Sequence, residues 1–301
     1  MSMNKTRFNV IYLPTNQGLG NGLRVALENC SHKIVARMDA DDIAVPNRFE
    51  KQLAFLTANP QTDIVGGQIT EFAEDPTRPT GMRKVPLTDR DIKTYLKKRC
   101  PFNHMTVMFK KTAVEKAGGY QDWYCNEDYY LWARMALKGA RFANVPEVLV
   151  NVRTGNGMSA RRGGWKYFRN EAALQGYLWA NHLIGLPRLI YNVALRFGGE
   201  VVLPNSLRAC AFKFLRKNPS ISPISTDVKH ETPPTAYPPF SVAMCVYGKD
   251  HPTHFKTALE SIINQTVPPT EIVIVVDGPV PAGLQDVLNY YGKGEIKCPR
   301  I

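Results

Sequence analysis

Cysteine is sparse and scattered in this 301-residue chain. Six residues, Cys30, Cys100, Cys125, Cys210, Cys245 and Cys298, lie far apart, and none belongs to a C-x-x-C pair. The spacing gives no support to a zinc site or a disulfide framework and reads as reduced thiols in a cytoplasmic protein. No run of about 18 uncharged apolar residues occurs, so no transmembrane helix is expected. The apolar stretch around Leu183–Val193 is short and broken by Pro187 and Arg188. Met1–Asn9 is polar and has no signal-peptide core. Gly and Pro, 22 of each, are too few and too irregular for a fibrous protein. Acidic residues are in deficit, 26 Asp+Glu against 38 Lys+Arg, and the net charge is +12. A hydrophobic content of 44% with 21% charged residues describes a globular chain, long enough to bury its own core.

The excess charge is localised. Residues 161–217 hold ten basic side chains, among them Arg161, Arg162, Lys166, Arg169, Arg188 and Arg196, against Glu171 and Glu200 alone. That places +8 of the +12 there, interleaved with Trp165, Tyr167, Phe168, Tyr177, Trp179, Tyr191 and Phe197. Basic and aromatic residues mixed on helices read as a surface near anionic headgroups, or as a helical cap with a solvated basic face. Nucleic acid would select the same composition, but no nucleic-acid motif accompanies it, which makes that the weaker reading.

Strands and helices alternate along the chain, the pattern of an α/β sheet. Strands are expected at Phe8–Pro14, Lys33–Met38, Ile64–Phe72 and Thr106–Lys110. Helices are expected from Asn16–Gly22 through Glu28, at Pro46–Leu56, Thr88–Lys98 and Thr112–Ala117, and at Asp128–Lys138 with Leu131, Met135 and Leu137 inward. Asn218–Pro239 carries six prolines in 22 residues and reads as a semi-extended linker. Beyond it a second unit begins, with strand Phe240–Tyr247, helix Pro252–Asn264, strand Glu271–Val276 and helix Ala282–Tyr291. That unit is too small to cover two sheet faces alone, so it is expected to pack on the first part of the chain.

Asp39-Ala40-Asp41-Asp42 follows a buried strand directly. Ligands of open α/β sheets bind at the carboxyl ends of strands. Three adjacent carboxylates there repel unless a cation offsets them, and Mg²⁺ or Mn²⁺ shared with phosphates suits that role. A helix N-cap is the alternative reading. The surroundings are more specific. Val35–Asp42 (VARMDADD), Pro46-x-Arg48-Phe-Glu-x-Gln52, Arg83–Pro86, Pro101–Phe109, Gly118-Gly-Tyr120, Glu127–Trp132 and Arg162-Gly-Gly-Trp165 together resemble inverting glycosyltransferases of family 2. The bacterial capsule, exopolysaccharide and O-antigen enzymes are the nearest in pattern. The resemblance covers nearly all of residues 8–217 and implies a GT-A fold: Rossmann-like, with a mostly parallel central sheet and flanking helices.

One departure is large. The strand–helix–strand that opens such enzymes is missing ahead of Phe8. Its likeness lies at Phe240–Tyr291, with Ser241–Tyr247 as first strand, Leu259–Thr266 as first helix and Ile272–Pro279 as second strand. The order is that of a circular permutation. The expected division is therefore 8–160 for the main catalytic part, 161–217 for a basic helical appendage, 218–239 for the linker and 240–291 for a nucleotide-binding head. A 22-residue linker spans on the order of 70 Å at ~3.3 Å per residue, enough to return to the sheet. A fusion of two enzyme pieces, or a disrupted gene, would give the same order.

The resemblance implies transfer of a sugar from a nucleoside diphosphate sugar to a saccharide acceptor. Asp41 would be the main metal ligand, with Asp39 on the metal or ribose and Ala40 beside it. Val246, Tyr247 and Asp277 would meet base and ribose, and Asn16 and Gly18 would line the nucleotide pocket. Asp128, next to Glu127, would be the general base. His104 would touch donor or acceptor, while Arg153 and Arg162 would flank a lid over the diphosphate. The Q-x-x-R-W pattern of processive synthases is absent, which favours single-sugar addition. The acceptor in such pathways is usually lipid-linked, which fits a peripheral enzyme at the inner membrane face. The competing reading is a catalytically silent remnant that still binds sugar nucleotides or membrane.

Overall fold

The computed structural model describes residues 6–154, 164–202 and 237–292, and the backbone of 296–297. The strands are β1 (Arg7–Leu13), β2 (Ile34–Met38), β3 (Ile43–Ala44), β4 (Ile64–Phe72), β5 (Gly81–Arg83), β6 (Met108–Lys110), β7 (Phe142–Arg153), β8 (Phe240–Tyr247), β9 (Glu271–Asp277) and β10 (Ile296–Lys297). The helices are α1 (Leu19–Asn29), α2 (Arg48–Ala58), α3 (Asp89–Leu96), α4 (Lys111–Lys116), α5 (Glu127–Leu137), α6 (Trp165–Ala180), α7 (Leu186–Phe197), α8 (Pro252–Ile263) and α9 (Ala282–Tyr291).

All ten strands join one sheet, in the order β10-β1-β9-β8-β2-β6-β4-β7-β3, with β5 on the side of β4. From β10 to β2 every pairing is parallel; β6 enters antiparallel, and β4 and β7 run parallel to each other. The fold is a mixed α/β sheet of GT-A-like form with parallel pairings in the majority. The late strands β8 and β9 sit between β1 and β2. Both are nearly continuous apolar runs, FSVAMCVY and EIVIVVD, which is the pattern of strands covered on two faces.

Alternation along β1 splits the core in two. Val10 faces a layer with Met38, Phe49, Leu53, Phe240, Phe255 and Leu259, while Ile11 faces one with Leu23, Trp132, Leu174 and Val273. Helix α8 buries Phe255, Ala258, Leu259 and Ile262, a period of three and four. Its residues share a layer with Phe49 and Leu53 of α2. Residues 240–291 therefore bury their apolar faces in the same core as residues 7–153.

Several expectations need correction. Pro46 precedes α2 rather than sitting in its first turn. Thr106 belongs to a 3₁₀ turn, His104–Thr106, ahead of β6. Leu137 ends α5 exposed, on the far side from Leu131 and Met135. Strands β3, β5, β7 and β10 were not foreseen. The middle of β7 carries Pro146, which argues against a strand. The sheet accommodates it at an irregularity, where pairing with β4 shifts register between Gly66 and Gln68. Gly66 and Gly67 are required inside β4, because a Cβ at Gly66 would overlap Asn144 and one at Gly67 would overlap Leu149. Residues 155–163 and 203–236 lie outside the described residues. They include Arg161, Arg162, Cys210 and most of the 218–239 linker, and Cys298 also falls outside.

Candidate active site

The carboxyl ends of β1, β9, β8 and β2 lie along one edge of the sheet. Leu13, Asp277 and Tyr247 share a row across three strands, and Met38 pairs with Met244 three residues before that row. Asp39–Asp42 therefore leave the sheet beside Tyr247 and Asp277, at the position where open α/β sheets hold ligands.

Asp277 does more than end a strand. Its Oδ1 accepts from the Gln17 N–H at 2.7 Å, and its Oδ2 accepts from the Gly18 N–H at 3.0 Å. Asn16 Nδ2 donates to the Asp277 carbonyl at 3.3 Å. Helix α1 starts on Gly18, which has no side chain to cap it, and the carboxylate from another strand fixes the backbone that leads into its first turn. Gly18 (φ 86°) and Gly278 (φ 83°) both occupy the left-handed region. A Cβ on Gly278 would come within 2.6 Å of the Asn16 nitrogen, so the two loops touch backbone to backbone. Val246 is buried in the core, which leaves its main chain to meet a ligand, while Tyr247 is half-buried and its N–H donates to Asp250 at 2.9 Å.

The acidic turn is held from behind. Arg37, buried on β2, grips Asp39 with two guanidinium bonds, one of 2.7 Å from Nη1. Burial opposes the charged form of Arg37, but Asp39 holds it above the ordinary arginine value. Its Nε is buried without a hydrogen-bond partner. Arg48, fully buried on α2, donates to the Arg37 carbonyl at 2.7 Å and to Gln52 at 3.1 Å. Gln52 in turn donates to the carbonyls of Val65 and Thr106. Burial, then the charge of Arg37, pushes Arg48 down to about 9. Arg48 and Gln52 are motif letters one helical turn apart, but no local pattern marks them as a buttress for the strand carrying the acidic turn.

Asp42 is buried and accepts from the Arg153 N–H at 2.9 Å. Burial first, and then Asp39 and Asp41, raise it well above the usual carboxylate range. Arg153, at the end of β7, reaches the Asp41 carbonyl with its Nε at 3.3 Å and lies over the Phe72 ring. The Asp41 carboxylate takes no hydrogen bond from another described side chain. Burial, then the charge of Asp39, pushes it up to about 6.

These residues meet the chemistry of a divalent cation unequally. Asp39 is neutralised by Arg37, whereas Asp41 is a half-desolvated oxygen donor beside a like charge, and a cation would relieve it. Among the described residues no group of three or more His, Cys, Asp or Glu side chains is gathered for a metal.

The second pair of carboxylates stands at the start of α5. Asp128 accepts from its neighbour's N–H, that of Tyr129, at 2.6 Å and from the Cys100 thiol at 3.2 Å. Burial raises its pKa, and the Cys100 bond works the other way. Burial, then the charge of Asp128, pushes Glu127 up to about 7. Gly20 lets α1 come close here, since a Cβ on it would meet Glu127 Cβ at 3.4 Å and the Gln121 carbonyl at 3.2 Å. Cys125, just before the helix, is held at φ 60°, a strained conformation for a side-chain-bearing residue. His104 is buried behind this pair. Its Nε2 meets the Tyr120 hydroxyl at 2.9 Å, its ring packs edge-on to Trp132, and burial, then Arg37, lowers its pKa well below the ordinary value. A neutral, bonded histidine there braces the site from within. Cys100 was not foreseen as a site residue; no local pattern marks a thiol 28 residues from its carboxylate. Arg162 lies outside the described residues.

The acidic turn, half-buried at Asp39 and Asp41 and buried at Asp42, lies near enough to the second pair that Asp39 acts electrostatically on Glu127. Residues 2–116 match the model of Glycosyl transferase family 2. An uncharacterized glycosyltransferase of Haemophilus influenzae is 42% identical over 213 residues, 71% of this chain and 79% of that protein. The amylovoran biosynthesis glycosyltransferase AmsE of Erwinia amylovora is 41% identical over 165 residues, covering 55% of this chain and 61% of its own. The UDP-Gal:alpha-D-GlcNAc-diphosphoundecaprenol beta-1,3-galactosyltransferase of Escherichia coli is 37% identical over 201 residues, 67% of this chain and 72% of that one. A solved mannosyltransferase, PcManGT from Pyrobaculum calidifontis, shows a likeness too slight to bear on function, with 18% identity and a TM-score of 0.38 over 67% of this chain and 56% of its own. The chain belongs to glycosyltransferase family 2 and is a glycosyltransferase.

Proposed function

We propose that this protein adds a single sugar, with inversion, from a UDP-linked donor to a saccharide carried on a lipid, in the assembly of a bacterial surface polysaccharide. One observation carries the reading: Asp277, Tyr247 and the Asp39–Asp42 turn meet at one sheet edge, with Glu127 in electrostatic reach of Asp39, although they come from distant parts of the chain. Residues 240–291 serve as the family's nucleotide-binding opening, carried after the body instead of before it. In support, β8 and β9 lie between β1 and β2.

In this reading uridine rests on the ends of β8 and β9, against Tyr247, Asp277 and the Asn16–Gly18 turn. Asp41, with Asp39 beside it, would hold Mn²⁺ or Mg²⁺. The ion, when bound, supplies positive charge to the diphosphate as its leaving bond lengthens. Arg37 fixes Asp39, and Arg153 holds the Asp41 carbonyl and the Asp42 carboxylate, so the turn is set before the donor arrives. The acceptor hydroxyl attacks C1 from the side opposite the diphosphate. The new O–C1 bond forms as the C1–O–P bond breaks, the electron pair leaves with UDP, and the hydroxyl proton passes to Asp128. Burial keeps that carboxylate basic.

The test is transfer from a panel of nucleoside diphosphate sugars to lipid-linked and soluble saccharides, with Mn²⁺. Wild type is expected to transfer from a UDP sugar; Asp41→Asn and Asp128→Asn are expected to lose at least about 10²-fold in kcat/KM. Equal behaviour of all three proteins would leave only a sugar-nucleotide-binding remnant.

A further inference from the structure

Helix α7 is built inside-out. Its one buried residue is the polar Asn192, 2% exposed, whose amide donates to the Lys97 carbonyl at 2.9 Å and to Gln175 at 2.7 Å. Arg196 on the same face pairs with Glu171 at 2.6 Å and reaches the Lys98 carbonyl at 3.0 Å. The large apolar side chains around the rest of the helix are open. Ile190 is 62% exposed, Leu195 61% and Tyr191 58%, with Leu186 and Phe197 in the same condition. Between α6 and α7 runs an open groove of about 640 Å³, lined by Phe168, Gly176, Trp179, Ile190, Ala194 and Phe197. A surface helix of a globular protein shows the reverse arrangement, and an apolar patch of this extent marks an interaction site.

We propose that the α6–α7 hairpin is a docking surface for an anionic lipid bilayer. Charge selects this occupant. Lys166 and Arg169 are exposed on α6, and Arg188 lies over the Tyr191 ring at the start of α7, while the acidic Glu171 is buried against Arg196. The apolar face is thus bordered by cations, and the exposed indoles of Trp165 and Trp179 have the amphipathic form favoured at a membrane interface. The twelve residues of α7 extend about 18 Å, short of the ~30 Å hydrocarbon core, and no described helix is long and apolar enough to cross. The helix therefore lies in the interface plane.

The placement deepens the proposed reaction and rests on that reading for its purpose. Lys97 and Lys98, which receive α7, are three and two residues from Cys100, the thiol donor to Asp128. Docking there brings the proposed base to the membrane side, where a lipid-carried acceptor would be met.

The test is sedimentation of the full chain with sucrose-loaded vesicles of phosphatidylglycerol and phosphatidylethanolamine, against vesicles of phosphatidylcholine. Partition is expected to be at least about tenfold stronger on the anionic vesicles and to fall with salt. The Ile190→Asp, Leu195→Asp double variant is expected to lose it at least about tenfold, with thermal stability and transfer to a soluble acceptor unchanged. Arg169→Glu with Arg188→Glu is expected to weaken only the anionic partition. Failure of wild type to sediment overturns the proposal, as does a double variant that still sediments. A double variant that instead halves the molar mass in solution assigns the face to a second copy. Asp41→Asn separates the two readings, since it is expected to abolish transfer while sedimenting as wild type does.

Discussion

The Asp277 carboxylate accepts hydrogen bonds from the backbone of Gln17 and Gly18, residues 260 and 259 positions away, and so holds the backbone leading into helix α1 from a strand near the other end of the chain. A charged acceptor on the N-cap N–H of α1 and on the N–H just before it is worth roughly 1.5–3 kcal/mol. Asp277→Ala is expected to lower stability in that range, and Asp277→Asn by less. UDP affinity should fall in both, read by titration calorimetry. Wild-type stability in the alanine variant would leave the contact without energetic meaning.

Head and body are expected to stay together when the chain between them is cut. A protease site placed within residues 218–236 and cleaved should leave 1–217 and 240–301 co-eluting on gel filtration. At the end of the sheet remote from the site, Glu271 is buried and bound by Ser241 Oγ at 2.6 Å, by Ser31 and by Arg7. Glu271→Ala in the cut protein is expected to release the head. Burial alone would raise this carboxyl, but the Ser241, Ser31 and Arg7 bonds hold it down at about 2. A depressed folded value means stability present above the ordinary pKa near 4.5 and lost as pH falls toward 2. Wild type should weaken over that window, and the alanine variant less so.

Asp41 and Glu127 have the opposite sign. Their folded values are raised, to about 6 and about 7, chiefly by burial and then by a carboxylate neighbour. The folded state therefore binds their protons more tightly than the unfolded chain, and stability is lost as pH rises through those values. Asp41→Asn and Glu127→Gln are each expected to raise Tm at pH 8 by at least about 3 °C, with little change at pH 4, while losing transfer. Calorimetry across pH 4–8 reads this directly. A neutral variant no more stable than wild type at pH 8 would count against the burial argument.

Cys100 sets the basicity of Asp128 through its thiol bond of 3.2 Å. A donor to the charged form lowers a carboxyl pKa, and its loss raises it. Cys100→Ala is expected to move the acid limb of the kcat/KM profile to higher pH, with Cys100→Ser restoring it. Arg83, Arg37 and Glu127 also face Asp128 electrostatically and stay in place in both variants. A limb that moves equally in Ser and Ala would make the cysteine a packing residue.

Where sequence periodicity was strong, it was reliable. Phe240–Tyr247, Ile64–Phe72 and Ala282–Tyr291 have the boundaries their patterns imply. Strand β7 was missed because Pro146 argues against a strand, and only the irregular pairing with β4 makes room for it. The acidic turn was legible because charged residues directly after an apolar run are a local signal, whereas the Glu127–Asp128 pair was legible only through the family resemblance. The Arg37–Asp39 grip was legible in principle, since residues two apart on a strand share a face. Arg48 on the Arg37 carbonyl, Cys100 on Asp128 and Tyr120 on His104 were not, because each joins separate elements.

The sequence by itself determined the α/β class, the two apolar strands of the head, the acidic clusters and the concentration of positive charge in one helical region. Those are properties of neighbours along the chain: period, run length and composition. Only the tertiary structure decided that β8 and β9 enter between β1 and β2, that Asp277 holds the backbone leading into α1, and that α7 leaves its apolar side chains outward. Each of these depends on which surfaces meet after long loops close. Apolar strands gain by burial wherever a matching edge is open, and a helix with a polar stripe turns it inward only where buried carbonyls and a carboxylate wait to receive it.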